Sequence, residues 1–142
     1  MRHNRLRVED LMSTAVIALH ENDNIGRAQL EMHLAGIRHI PVVDGGNHVV
    51  GILSNRDVAR ALATGETQAP VVGAMTRSVQ TVKPWSLAAD AANLMLEHKF
   101  GSLPVVGEDE QLVGIITETD FLAVASEALR GVRLGSTRLV EA

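Results

Sequence analysis

The feature that most constrains this chain is an internal repeat. When the sequence is shifted by 63 residues, residues 8–58 align with residues 71–121 without a gap, and twelve of the 51 aligned positions are identical. The identities are grouped: Pro-Val-Val occurs at 41–43 and 104–106, and Val-Gly-Ile occurs at 50–52 and 113–115. Grouped identities at a single spacing are typical of a duplicated structural unit. The sequence therefore predicts one fold unit present twice.

Each unit has the hydrophobic pattern of a strand, a helix, two strands and a second helix. We expect first strands at 16–19 and 79–82, first helices at about 25–34 and 88–98, and buried strands at 49–53 and 112–116. Pro41 and Pro104 fit the first position of a strand, where a missing N–H is tolerated. Residues 44–47 have the Asp-Gly-Gly-Asn sequence of a hairpin turn. The predicted fold class is α+β, with two tandem β-α-β-β-α repeats.

Each repeat has about 60 residues, which makes it marginal as an independent domain. We therefore expect the two repeats to pack face to face, leaving two related clefts along the seam. The predicted organisation is a basic N-terminal arm over 1–7, repeat 1 over 8–64, a linker over 65–70, repeat 2 over 71–130 and a C-terminal tail over 131–142. The arginines of the arm are interpreted as part of a frayed terminus.

Composition removes several classes of function. The chain has no cysteine, which excludes disulfides, thiolate catalysis and thiolate metal sites. Aromatic residues make up 2% of the chain and the net charge is -4, so neither stacking platforms nor a basic surface for nucleic acid is present. No apolar run approaches the roughly 18 residues of a membrane span. We therefore expect a cytoplasmic protein with no nucleic acid partner and no membrane contact.

Two segments carry a hydroxyl and a carboxylate three residues apart, where a buried strand gives way to a helix. They are Ser54 with Asp57 and Thr117 with Asp120. One interpretation is a capping box, in which hydroxyl and acid satisfy backbone N–H groups of the first helical turn. The other is a ligand site, since a helix N-terminus attracts phosphate and a carboxylate accepts both hydroxyls of a ribose. The two interpretations are compatible, because a ligand can displace a cap.

These paired repeats, with Pro-Val-Val followed by the Ser54–Asp57 or Thr117–Asp120 motif, resemble the cystathionine-β-synthase (CBS) domain pair, or Bateman module, over roughly residues 8–130. The resemblance implies a pseudo-two-fold pair whose clefts hold an adenosine-containing ligand such as AMP, ADP, ATP or S-adenosylmethionine. It implies that the two aspartates bind ribose hydroxyls and that Ser54 and Thr117 approach phosphate. It also implies that two short segments of each repeat close over the base. In repeat 1 these are Thr14, Ala15 and Val16 with Arg38, His39 and Ile40, and in repeat 2 they are Arg77, Ser78 and Val79 with Gly101, Ser102 and Leu103.

Two arginines lead us to expect unequal clefts. Arg56 adjoins the first motif's aspartate, and Arg38 precedes the Pro-Val-Val strand, where the resemblance implies a basic contact to phosphate. A guanidinium suits phosphate because it donates two parallel hydrogen bonds. The equivalent residues of repeat 2 are Thr119 and Gly101, and Glu118 adds negative charge there. We predict that the cleft built on the first motif binds phosphorylated adenosine better than the cleft built on the second. The alternative is that both arginines are solvated surface residues.

The six histidines form neither an i,i+4 pair nor an H-E-x-x-H pattern, so we expect no metal site and no required cofactor. His39 is the exception of interest, because it adjoins Arg38 at a predicted cleft, where its protonation would modulate phosphate binding. The sequence has no G-x-S-x-G elbow, no P-loop and no G-x-G-x-x-G stretch. We therefore predict that the protein is not an enzyme.

The leading hypothesis is a stand-alone regulatory module that senses an adenosyl nucleotide. Apolar helix faces suggest a homodimer, and a separate effector protein is a further expected partner. The alternative is a scaffold of the same fold that pairs with a separate enzyme or transporter and binds no nucleotide, its motifs acting only as caps. Ligand binding separates the two hypotheses.

Overall fold

The computed structural model describes residues 5–131. Most of the predicted tail over 131–142, and residues 1–4 of the predicted arm, lie outside the described residues. The elements are α1 (Val8–Leu11), β1 (Leu19–His20), α2 (Ile25–Ala35), β2 (His39–Val43), β3 (Val49–Ser54), α3 (Asn55–Ala63), a 3-10 turn (Val71–Gly73), α4 (Ala88–His98), β4 (Ser102–Val106), β5 (Leu112–Thr117) and α5 (Glu118–Arg130).

The strands form one small sheet in each repeat. In repeat 1, β1 pairs with β2 in parallel and β2 pairs with β3 antiparallel. In repeat 2, β4 and β5 form an antiparallel pair. The two hairpins have equivalent registers, since Pro41 lies opposite Ile52 and Pro104 lies opposite Ile115. The α+β class and the tandem repeats predicted from the sequence are confirmed.

The first strand of each repeat is shorter than predicted. Of residues 16–19 only Leu19 belongs to a strand, and residues 79–82 contribute a single parallel bridge, from Val82 to Val105. The residues before these points line clefts instead of extending a sheet. The apolar run predicted strands because β-branched side chains favour them, but here those side chains form cleft walls.

The sequence predicted that Pro41 and Pro104 open their strands. The structure places each proline at the third position of its strand instead. Pro41 is tolerated because the pairing of β2 with β1 begins only at Val42. Pro104 is tolerated because it contributes only its carbonyl, which accepts a hydrogen bond of 3.1 Å from the backbone N–H of Val82. In both strands the proline, which has no backbone N–H, lies where the neighbouring segment offers no carbonyl for such a group to donate to.

Each repeat's opening segment packs against the other repeat. Val71 and Met75, which open repeat 2, belong to the apolar core around β2 and β3. Val8, which opens repeat 1, belongs to the core around β4 and β5, with Leu11 and Met12 packed against it. The two cores are therefore completed by an exchange of segments across the seam.

Backbone hydrogen bonds fix this exchange. Ser13 and Ile115 exchange bonds of 2.9 and 3.0 Å, and Thr76 and Ile52 exchange bonds of 2.9 and 3.0 Å. Both crossings pass over a glycine of the Val-Gly-Ile motif. A Cβ at Gly114 would lie 3.0 Å from the carbonyl oxygen of Ser13, and a Cβ at Gly51 would meet Thr76 in the same way. The close approach of the two backbones requires glycine at both positions.

The helices keep a large apolar surface exposed. Helix α5 buries none of its residues, and its Leu122 and Leu129 are 68% and 67% exposed. Leu96 of α4 and Leu34 of α2 are also exposed. None of the helices within residues 5–131 is long and apolar enough to cross a membrane.

Candidate functional site

Both motifs form the hydrogen bonds of a capping box at the start of their helices. The backbone N–H of Ser54 donates to Oδ2 of Asp57 at 2.9 Å, and the N–H of Asp57 donates back to the Ser54 hydroxyl at 3.1 Å. In repeat 2, Oδ2 of Asp120 accepts from the N–H of Thr117 at 2.8 Å and from its hydroxyl at 3.3 Å. Each cap uses one carboxylate oxygen, Oδ2, and Oδ1 lies outside the capping box. Oδ1 of Asp57 is 3.7 Å from Nη1 of Arg60.

The motifs open into two clefts at the seam between the repeats. The first, which we call the Asp120 cleft, has a volume of about 560 Å³. Its lining consists of Ser13, Ala15, Val16, Ile17, Gly36, Ile37, Arg38, His39, Gly101, Ile115, Thr117, Glu118, Thr119 and Asp120. The second, the Asp57 cleft, has a volume of about 200 Å³. Its lining consists of His39, Ile52, Ser54, Asp57, Thr76, Ser78, Val79, Gln80, Lys99, Phe100, Gly101, Ser102 and Leu103.

The two clefts are related by the 63-residue shift. Ser13, Ala15 and Val16 in the Asp120 cleft correspond to Thr76, Ser78 and Val79 in the Asp57 cleft. Each cleft thus combines the motif of one repeat with the opening segment and first helix end of the other. This composition follows from the exchange of segments described above.

The structure corrects the reason given for unequal clefts. Arg38 lines the Asp120 cleft, not the cleft built on Ser54 and Asp57, because the start of β2 faces the motif of the other repeat. Arg56 is exposed on the outside of α3 and lines neither cleft, which agrees with the solvated alternative. The predicted preference of phosphorylated adenosine for the Asp57 cleft therefore loses both of its supporting contacts and is otherwise untested.

Most of the site residues expected from the sequence lie at the clefts. Four do not line either of them. Ile40 is fully buried in the core of repeat 1, while Thr14, Arg56 and Arg77 are exposed elsewhere. The sequence did not predict several of the lining residues, including Gln80 and Lys99. For Lys99 the sequence does contain an indication, because it aligns with Gly36, and glycine is typical of the residue that ends a helix. Both residues end their helices in the left-handed region, at φ values of 58° for Lys99 and 65° for Gly36.

His39 lies between the two clefts and lines both of them. Burial lowers the pKa of its imidazole below 6.5, with Arg38 acting in the same direction and the carboxylates of Glu118 and Asp57 opposing it. The ring occupies space left by Gly101, where an added Cβ would lie 2.9 Å from the ring's Cε1 atom. The lowered pKa favours the uncharged imidazole at neutral pH, and the ring forms part of the wall that separates the two clefts.

Ser102, the counterpart of His39, is a buried polar residue in the wall of the Asp57 cleft. It is 5% exposed, and among the described residues its hydroxyl is the buried side-chain polar atom without a hydrogen-bond partner. Leaving a buried hydroxyl unpaired costs about 1–3 kcal/mol. Such an atom is typical of a binding site whose partner is a ligand or a water molecule.

A metal site does not emerge from these side chains. Within residues 5–131, no group of three or more His, Asp or Glu side chains is arranged to hold a metal ion. The chemistry available at the clefts is hydrogen bonding by carboxylates and hydroxyls, contact with apolar walls, and the charges of Arg38, Glu118 and Lys99.

Solved structures with the same architecture include the following three proteins. A protein of Vibrio cholerae ascribed to acetoin utilization (AcuB) matches with a TM-score of 0.80 at 34% identity, over 88% of this chain and 93% of that one. The CBS domain pair of protein MJ0100, solved with 5′-methylthioadenosine and S-adenosyl-L-methionine, matches with a TM-score of 0.79 at 29% identity, over 87% and 98%. CBSX2 from Arabidopsis thaliana, solved with AMP, matches with a TM-score of 0.76 at 27% identity, over 86% and 97%.

The fold and its two seam clefts thus define a tandem pair of repeats of the CBS type. The family model of the CBS domain matches residues 8–64 and 71–127. The chain belongs to the CBS domain family.

Some curated relatives extend well beyond the CBS pair. At 31% identity, the chain aligns over 81% of its length with 70% of an uncharacterized 17.7 kDa protein from Acidianus ambivalens. At the same identity and over 80% of its length, it spans only 23% of a homoserine O-acetyltransferase from Methanosphaera stadtmanae. In that longer relative the CBS pair is one part of the chain.

Proposed function

We propose that this chain is a regulatory module that binds an adenosine-containing ligand in its two seam clefts. The observation that carries the proposal is the position of Asp57 and Asp120. Each carboxylate caps a helix with one oxygen, leaves the other outside the cap, and lines a cavity. A carboxylate of this kind accepts the two hydroxyls of a ribose.

The walls of the Asp120 cleft suit the rest of an adenosine. Val16, Ile17, Ile37 and Ile115 supply apolar surface for a flat base. Binding sites for small molecules are mostly apolar with a few polar groups that fix orientation. The ligands of the CBS pair of MJ0100 and of CBSX2 all contain adenosine, which supports the same ligand class for this chain.

A regulatory rather than a catalytic role fits the length of the relatives. The chain spans less than a quarter of the homoserine O-acetyltransferase it matches, so most of that protein lies outside the shared part. We propose that this module acts on a separate effector protein. The cytoplasmic location expected from the sequence stays a prediction.

We also propose that the module forms a homodimer through its exposed helix faces. Leu122 and Leu129 of α5, with Leu96 of α4, are each more than half exposed on helices that have little cover. Sedimentation equilibrium of the full chain and of Leu122→Glu tests this proposal. A dimer that becomes a monomer in the variant is the expected result, and an unchanged association state would contradict it.

Thermal unfolding with AMP, ADP, ATP and S-adenosylmethionine tests ligand binding. A ligand at 100 times its Kd stabilises the folded state by about 2.7 kcal/mol. We expect the gain with a binding ligand to decrease in Asp57→Asn and Asp120→Asn, whose amide oxygens still cap their helices. Asp10→Asn is the matched control, because Asp10 caps α1 by accepting from the N–H of Arg7 at 2.7 Å and lines neither cleft.

The scaffold hypothesis makes the opposite prediction for the same experiment. In that hypothesis a different protein, instead of a second copy of this chain, covers the exposed apolar face of α5. If none of the four ligands shifts the unfolding temperature, the motifs act only as caps and the nucleotide proposal is wrong.

A further inference from the structure

The two clefts differ in the charges that line them. In the Asp120 cleft one cation, Arg38, is accompanied by two carboxylates, those of Glu118 and Asp120. In the Asp57 cleft the cation of Lys99 is matched by the single carboxylate of Asp57. The Asp120 cleft therefore carries a net negative lining charge and the Asp57 cleft a balanced one.

This difference arises from the sequence at equivalent positions. Glu118 corresponds to Asn55 under the 63-residue shift, and Arg38 corresponds to Gly101. Glu118 lies beside Gly101, because its backbone N–H donates to the carbonyl of Gly101 at 3.1 Å. A Cβ at Gly101 would lie 2.9 Å from the ring of His39, the residue that follows Arg38. Burial lowers the pKa of His39, which favours its uncharged form and limits the positive charge it contributes beside the two carboxylates.

We propose that the Asp120 cleft selects an adenosine compound whose 5′ substituent carries both a positive charge and a carboxylate, as a sulfonium amino acid does, over a nucleoside phosphate. This inference rests on the proposed function, because it assigns the ribose to Asp120. Glu118 then accepts the cationic part of the substituent and Arg38 receives its carboxylate. S-adenosylmethionine has this charge pattern and a net positive charge, which complements the lining of the cleft.

The net negative lining of the Asp120 cleft disfavours a nucleoside phosphate. The phosphate of AMP carries close to two negative charges at neutral pH, and the Asp120 cleft presents it with one guanidinium and two carboxylates. Like charges at contact distance repel even at high dielectric, while the opposite charges of a sulfonium and a carboxylate attract. The same cavity therefore penalises phosphate where it favours the sulfonium amino acid.

Isothermal titration calorimetry on the full chain tests the proposal. The Asp57→Asn variant serves as the background, so that the heat of binding reports the Asp120 cleft. S-adenosylmethionine, its uncharged-sulfur analogue S-adenosylhomocysteine, and AMP are the three titrants. We expect the first to bind tightest, and loss of the sulfonium charge to weaken binding roughly fivefold or more.

Glu118→Gln identifies the residue responsible. It should weaken S-adenosylmethionine by roughly fivefold and leave AMP unchanged or tighter, because it removes one negative charge from the cleft. Glu127→Gln is the matched control, since Glu127 lies on the same helix, pairs with Arg130 at 3.7 Å and lines neither cleft. The two variants should have unchanged thermal unfolding without ligand.

The outcomes separate this inference from the proposed function. If AMP binds the Asp120 cleft as tightly as S-adenosylmethionine, or if Glu118→Gln weakens both equally, the charge assignment is overturned while adenosine binding stands. If none of the three compounds binds either the Asp57→Asn variant or the parent chain, both proposals are wrong, whereas binding to the parent chain alone overturns only the assignment to the Asp120 cleft.

Discussion

Substituting Gly51 by alanine tests the exchange of segments between the repeats. A Cβ at this position in β3 would lie 2.5 Å from Sδ of Met75 and 2.9 Å from the carbonyl oxygen of Thr76. The thioether of Met75 can rotate away. The carbonyl cannot, because the backbone of Thr76 is held to Ile52 by hydrogen bonds of 3.0 and 2.9 Å. The added methyl group must therefore push two paired segments apart.

The size of the effect follows from these contacts. Ordinary contact begins at 3.4 Å, so relief of the 2.9 Å approach needs a separation of about 0.5 Å. Overpacking of this kind costs about 1–3 kcal/mol. Each of the two hydrogen bonds contributes about 1 kcal/mol to stability, and weakening them loses a fraction of that contribution. Alanine also restricts the unfolded chain, which returns about 0.4–1 kcal/mol. We expect a net loss of about 1–3 kcal/mol, which lowers Tm by roughly 3–12 °C.

Differential scanning calorimetry measures this change directly. Gly45→Ala is the matched control, because a Cβ at Gly45 in the hairpin tip meets nothing within 4 Å. The control should stay within about 0.5 kcal/mol of the parent protein. Gly114→Ala should behave like Gly51→Ala, since its Cβ would meet Met12 and Ser13. Equal Tm values for Gly51→Ala and Gly45→Ala would refute the crossing of the opening segments.

Three further substitutions extend the test to the core, the cap and the seam. Leu53→Ala, at a fully buried position, should cost about 2.7–5 kcal/mol in urea unfolding, whereas Leu34→Ala, 71% exposed, should cost little; similar losses would contradict the assigned core. Ser54→Ala should cost about 0.5–2 kcal/mol in the same assay, because it removes the hydroxyl that caps α3, and no loss would mean that the cap is not formed. Burial lowers the pKa of His39 below 6.5, so its contribution to stability is complete above pH 6.5 and decreases as the pH falls below that value. Tm should therefore fall less on acidification in His39→Gln than in the parent protein, and parallel pH profiles would show that this histidine is not buried as described.

The internal repeat made most of the fold predictable from sequence. Helices α2 and α4 begin at the predicted residues and end within one residue of the predicted positions, because their apolar periodicity and their ends are local features. The first strands were overestimated, since an apolar run such as 16–19 looks alike whether it pairs in a sheet or lines a cleft. Local pattern distinguishes element types but not what an apolar side chain contacts.

The composition of the clefts could not be predicted in the same way. The sequence placed Arg38 with the motif of its own repeat, and the structure puts it opposite the motif of the other. Which repeat an opening segment contacts depends on tertiary packing, which leaves only an indirect trace in the sequence. That trace is the pair of identical glycines, Gly51 and Gly114, since a glycine inside a buried strand indicates a close backbone approach.

The exchange of segments has a consequence for how a ligand would act. Neither cleft exists within a single repeat, because each requires a motif from one repeat and an opening segment from the other. A ligand that binds in either cleft therefore stabilises the docked arrangement of the two repeats, because it binds only when they are docked. Helix α5 begins at the Thr117 motif and carries the exposed Leu122 and Leu129 along its length. A ligand bound to Asp120 would thus contact the first turn of the helix whose outer face is exposed.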